Sequence, residues 1–224
     1  REVQKVVLSE LASGERVISE RMPSVRSVAI GFWIGVGSRD ETPARAGITH
    51  FIEHLLFKGT RSYDARQIAE IFDELGGELN AATSREHTVV YGRVAYDQLE
   101  RAIDVMTDMV FVPTFADVDS EREVVLEEIA EVEDTPDDLV FELHGERLWP
   151  GSPFGRSILG TAGSVGGMTG EALRELHEGA YRGANLLVAA AGNVEHGALV
   201  AAVERLWGGL DPGTREPVLP APGA

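Results

Sequence analysis

The 224-residue sequence contains no cysteine. Disulfides and thiolate metal sites are therefore excluded, and any bound metal must take its donors from His, Asp and Glu. No run approaches the roughly 18 apolar residues that a membrane-crossing helix needs. Positive charge is scarce as well: 20 Lys and Arg against 37 Asp and Glu give a net charge of −17. Nucleic acid and anionic membrane surfaces would repel such a chain, whereas a basic peptide would be attracted. The acidity would equally serve an ordinary solvated surface of exposed helices. What the sequence does have is a hydrophobic fraction of 43 %, enough for a sizeable core in one large domain or two small ones. The chain begins at Arg1 without a recognisable signal peptide, and a cytoplasmic location is the expectation.

Histidine is also sparse, with six in all, yet two fall within His50-Phe51-Ile52-Glu53-His54. On a helix, residues four apart lie above one another, so His50 and His54 can close on one ion while Glu53 sits one position off that axis. The order H-x-x-E-H inverts the commoner zinc-hydrolase pattern and is known as the inverzincin signature. Two hydrogen-bonded histidines on a packed helix would be the plainer explanation.

Alternation and turn signals predict strands over residues 3–8, 15–20 and 27–36, then a helix from about 44, opened by Thr42-Pro43 and stopped at Gly59. A second helix starts at Asp64 and ends at Gly76-Gly77. Strands over 78–84 and 86–94 follow in close succession, and helices are expected over 97–110, 119–133 and 136–148. Residues 149–167, rich in Gly, Ser and Pro, suggest a long loop. Helix, strand and helix return over 170–179, 185–191 and 196–207. Residues 1–210 thus form one domain of the α+β class, a two-layer arrangement of a mostly antiparallel sheet packed with helices. Residues 211–224 have the Pro/Gly composition of a linker.

A zinc hydrolase needs a third protein donor. Setting Glu121 at zero on a helical wheel places Val124, Val125, Ile129 and Val132 on the buried arc, together with Glu121 and Glu128. Glu123, Glu127 and Glu133 fall on the solvent side. A carboxylate on an apolar face needs a partner, and an ion held by His50 and His54 would serve Glu128. Glu121, two turns earlier, could orient a ligand or a water from behind. Buried pairs with arginine are the alternative, and Glu131 is the second candidate for the ligand. His87, His144, His177 and His196 have no second ligand nearby and suit structural or surface roles better.

These residues resemble the N-terminal domain of an M16-family zinc peptidase, the group of pitrilysin, insulin-degrading enzyme and the mitochondrial processing peptidase. The likeness runs through Gly35-Val36-Gly37-Ser38-Arg39-Asp40-Glu41 and through the signature from His50 to Thr60. It continues in Gly76 to Thr88, in Glu121 to Ile129, and in Ala189-Ala190-Ala191-Gly192-Asn193-Val194. The resemblance implies the M16/LuxS-like metallohydrolase fold and one zinc ion held by His50, His54 and Glu128. It implies Glu53 as general base with Glu121 in support, substrate backbone contacts from Asn80 and Ala81, and a pocket lined by Phe57. An extended peptide added to a free strand edge is the expected substrate mode.

Members of that family close two halves into a chamber, the second half supplying an Arg/Tyr pair, and nothing in this chain corresponds to that half. A fragment or a half-length subunit working with a C-terminal half or a homo- or heterodimeric partner is therefore expected. A non-catalytic structural or peptide-binding subunit, and a zinc hydrolase acting on a non-peptide substrate, are the competing functions.

Overall fold

The computed structural model describes residues 6–214. Its centre is a six-stranded sheet made of β1 (Val6–Glu10), β2 (Arg16–Arg21), β3 (Ser27–Ile34), β4 (Glu78–Thr83), β5 (Thr88–Ala95) and β6 (Leu186–Gly192). The spatial order is β1-β2-β6-β3-β5-β4. Neighbours run antiparallel except β2 and β6, which are parallel. The last strand is thus inserted between two of the first three, and it draws both ends of the chain into one sheet.

Helices cover one face. They are α1 (Ile48–Leu56), α2 (Ala65–Glu74), α3 (Leu99–Phe111), α4 (Val118–Asp134), α5 (Pro136–Leu148), α6 (Ala162–Gly166), α7 (Gly170–Ala180) and α8 (His196–Trp207). Strand β3 shows why that face is the core: Val28, Ile30, Phe32 and Ile34 point inward and are at most 2 % exposed. The alternate positions Ala29 and Trp33, with Tyr91 on β5, look out from the uncovered face. Against the inward face pack Phe51, Ile52, Leu55 and Leu56 of α1 and Val105, Met106 and Met109 of α3, all fully buried. Trp207 closes the far end, with edge-on ring contacts to Phe32 and Phe111. Its indole N–H donates to Thr107 Oγ1 at 3.0 Å.

The expected α+β, two-layer, mostly antiparallel architecture is the one found, with local corrections. The helix expected from residue 44 begins only at Ile48 after a separate 3-10 turn (Pro43–Arg45), because Gly47 takes φ +90° and interrupts it. Residues 149–167 are not one loop. They include a 3-10 turn (Pro153–Gly155) and α6, which Thr161 and Ser164 start with a reciprocal capping box. A 3-10 turn at Tyr96–Gln98 precedes α3, and the strand expected from 86 starts at Thr88. Of the first expected strand, residues 3–5 lie outside the described residues, as do residues 215–224 of the expected linker. Residues 211–214 are tied to the domain: Gly183 and Ala184 donate their N–H groups to the carbonyls of Asp211 and Pro212. Among the described residues, no helix is long and apolar enough to cross a membrane.

At Gly47 an added Cβ would run into the Leu159 carbonyl oxygen, on top of the positive φ. Gly47→Ala should therefore cost about 1–3 kcal/mol from backbone strain alone. Urea unfolding of wild type and variant checks this, and coincident midpoints would refute it.

Candidate metal centre

The short helix α1 is positioned by its ends and its apolar face. Glu41, 7 % exposed, accepts the N–H of Gly47 at 2.8 Å and of Thr49 at 2.9 Å, and the Thr49 hydroxyl as well. A carboxylate at this end also complements the helix dipole. With Phe51, Ile52, Leu55 and Leu56 committed to the core, His50, Glu53 and His54 are left half-buried on the opposite side. Helix α4 runs past that side. It buries Glu121, Val125 and Ile129 and leaves Glu128 half-exposed beside the two imidazoles.

Three donor atoms converge. His50 Nε2 lies 3.3 Å from His54 Nε2, Glu128 Oε2 lies 3.6 Å from the first and 3.5 Å from the second. Among the described residues these three form the one group of His, Cys, Asp or Glu side chains that could hold a metal ion. A tetrahedral zinc site with donor distances of about 2.0–2.1 Å separates its donors by about 3.4 Å, so the triangle is of the right size. The donor chemistry suits zinc too, with two imidazoles, one carboxylate and no thiolate. Burial, and after it the neighbouring His54, lowers the His50 pKa from 6.5 to about 4, so at neutral pH the ring is uncharged and can offer a nitrogen lone pair to a metal. Its other nitrogen, Nδ1, is buried and has no hydrogen-bond partner among the described residues.

Around the triangle stand two further carboxylates. Glu121, 4 % exposed, faces His54 Nδ1 at 3.4 Å through one oxygen and the Lys58 ammonium at 2.8 Å through the other. Its partners are thus a lysine and a histidine, not arginine. Glu53 accepts a hydrogen bond from the Thr83 hydroxyl of β4. Burial pushes the Glu53 carboxyl above the usual carboxylate range, while the Thr83 hydroxyl and His54 pull it back. A carboxylate of that kind takes up a proton more readily than an ordinary surface carboxylate.

The remaining sequence candidates are placed as follows. Glu131 is exposed and outside the triangle, so Glu128 is the donor the fold brings in. Val124, expected to be buried, is 39 % exposed: the face of α4 bearing Glu128 looks onto α1 and open space rather than into the core. Phe57 lines a groove with Lys58, Leu79, Asn80 and Tyr91 alongside β4. Strand β4 is one edge of the sheet, opposite β1. The Ser84 N–H bonds to His87 O at the hairpin, and alternation from there turns the backbone groups of Leu79, Ala81 and Thr83 outward. Asn80 Oδ1 accepts the Ala81 N–H at 2.9 Å. Ala81 and Thr83 share the helix-covered side, whereas Asn80 faces the other way.

The other histidines have structural partners or are exposed. His177 donates to Val110 O at 2.7 Å, His196 bridges Ser9 and Ser19, His87 packs on Trp33, and His144 is exposed. Sequence reasoning assigned no role to Glu41, Lys58 or Thr83. For Thr83 no local signal exists, since its contact with Glu53 spans 30 positions. For Glu41 an acidic residue just before a helix start was the available sign.

The folded state holds His50 neutral where the unfolded chain would protonate it. Its contribution to stability is therefore complete above about pH 6.5 and is lost as pH falls towards about 4. In the metal-free protein the unfolding midpoint should drop through that interval, and His50→Gln should flatten the drop. An unchanged pH profile in the variant would refute the assignment.

Residues 16–162 match the family model described as insulinase (peptidase family M16). A protein of Streptomyces coelicolor named an uncharacterized zinc protease is 43 % identical over 218 residues, covering 95 % of this chain and 48 % of its own length. A Bacillus subtilis protein named in the same way is 41 % identical over 201 residues, covering 89 % of this chain and 49 % of its own. This chain therefore spans about half the length of the curated relatives it matches. In fold it is similar to a protease from Helicobacter pylori, with a TM-score of 0.89 and 22 % identity over 98 % of this chain and 53 % of that one. It is also similar to a peptidase M16 inactive domain from Pseudomonas fluorescens, with a TM-score of 0.88 and 21 % identity over 97 % of this chain and 54 % of that one. The chain belongs to the M16 family of zinc proteases.

Proposed function

We propose that this chain is the catalytic half of a zinc-dependent endopeptidase that cleaves extended segments of oligopeptides, small proteins or leader sequences. The observation that carries this reading is the donor triangle of His50, His54 and Glu128 with Glu53 on the same helical turn. A zinc ion held there would supply Lewis acidity, polarising a scissile carbonyl and lowering the pKa of an attacking water. The protein's own part is played chiefly by Glu53, whose carboxylate takes the proton from that water and returns it to the departing amine. Thr83 holds the Glu53 oxygen in place. The outward-facing backbone of Ala81 on the β4 edge aligns an extended peptide by main-chain pairing, with Asn80 beside it and Phe57 in the adjoining groove. Such pairing is independent of side chains, so selection falls to the groove and to whatever encloses the site.

Enclosure comes from a second half of similar size, covalently attached or supplied by a partner subunit; the doubled length of the matching zinc proteases supports this. The Pseudomonas fluorescens domain of the same fold is described as inactive. The donor set with Glu53 beside it favours the catalytic role here over the purely structural one. The net charge of −17 would draw basic peptides to the molecule.

With the second half present, Glu53→Gln should lower the cleavage rate of an unstructured basic peptide by about 10²–10⁴ while zinc content stays unchanged. Mass spectrometry of the products and metal analysis check both parts. Equal cleavage by wild type and variant would overturn the peptidase reading.

A further inference from the structure

The buried carboxylate of Glu121 stands behind the donor triangle and is shared between His54 and Lys58. At 4 % exposure a carboxylate needs compensating partners, and the His54 ring stands 3.4 Å away. Lys58 supplies a full charge at 2.8 Å. The lysine is not forced there by burial, since its side chain keeps 36 % of its exposure. Its backbone explains the placement. The Lys58 N–H closes on Leu55 O just past the end of α1, and Gly59, at φ +127°, turns the chain away. The ammonium therefore sits where the negative end of the α1 dipole and the Glu121 carboxylate meet.

We propose that Lys58 is a positioning residue for the zinc donors, acting through Glu121 on His54. The inference rests on the zinc reading above. A carboxylate offers only acceptors, so its facing His54 nitrogen, Nδ1, must donate. That fixes the tautomer and leaves the Nε2 lone pair for the triangle with His50 and Glu128. Lys58 holds one Glu121 oxygen, which sets the direction in which the other faces the His54 ring. Helix α4 carries both a donor, Glu128, and this brace, Glu121, two turns apart. Helix α1 carries His54, and Lys58 follows its C-terminal cap residue Phe57. The Lys58–Glu121–His54 chain thus links the two donor-bearing helices.

The test uses this chain with its second half present, covalent or as a partner subunit, carrying Lys58→Met or Lys58→Arg. Zinc affinity is measured by competition with a chromophoric chelator, donor geometry by the absorption spectrum of the cobalt(II)-substituted protein, and fold by the unfolding midpoint of the metal-free form. Lys58→Met should weaken zinc binding about 10–100-fold and alter the cobalt spectrum at a nearly unchanged midpoint. Lys58→Arg, which keeps the cation, should restore most of both. Wild-type affinity in Lys58→Met would overturn the proposal. So would a loss that follows a lowered metal-free midpoint and is not rescued by arginine. Wild-type protein that takes up no zinc would instead overturn the metal reading itself, and the inference with it.

Discussion

A nine-residue helix has little stability of its own, and α1 is such a helix. The candidate metal centre depends on where the two imidazoles of this helix point, so the constraint that matters most is the clamp at the helix start. Glu41 receives the backbone N–H groups of Gly47 and Thr49 at the helix start and the Thr49 hydroxyl. Gly47 allows the chain to turn into the helix against Leu159, where no side chain would fit. The apolar face then locks rotation about the axis, since Phe51, Ile52, Leu55 and Leu56 are all fully buried. Direction, start and rotation are thus set by three separate devices, and the donors inherit their geometry from them.

Negative charge is managed residue by residue around this helix. Of the four carboxylates grouped here, Glu41 meets backbone donors, Glu53 a threonine hydroxyl, Glu121 a lysine, and Glu128 the two imidazoles. Each has its own set of partners. Burial raises the pKa of Glu41 and Glu53 despite their hydrogen bonds. Carboxylates placed in such different surroundings on neighbouring elements can be given different protonation behaviour by environment alone.

Much of this could be read in the sequence because the relevant signals are local. The i, i+4 spacing of His50 and His54, the β-strand alternations and the helix starts are short-range patterns, and the sheet with its helical layer follows from them. The choice of Glu128 rested on a helical wheel that also placed Val124 in the core, and Val124 is exposed. The wheel grouped Glu128 with Val125 and Ile129, which are buried, but the edge of that arc that carries Val124 and Glu128 meets α1 and open space rather than apolar packing. Pairings across the chain carried no such trace. Thr83 reaches Glu53 from a distant strand, and Lys58 reaches Glu121 across 63 positions, so only the folded chain displays them. The short helix α6 escaped notice because its Gly and Ser content resembles a loop, although the Thr161 and Ser164 cap was present in the sequence.

The edge strand β4 has a second consequence. An unprotected sheet edge recruits any extended chain, including another copy of the same protein, and is a source of aggregation. Asn80 occupies one of the outward donors by accepting the Ala81 N–H itself. A newcomer at this position must displace a carboxamide already in place, so it exchanges one hydrogen bond for another and gains little from that contact alone. Such an edge resists casual self-association, and it yields to a chain only when further contacts along the groove make up the difference.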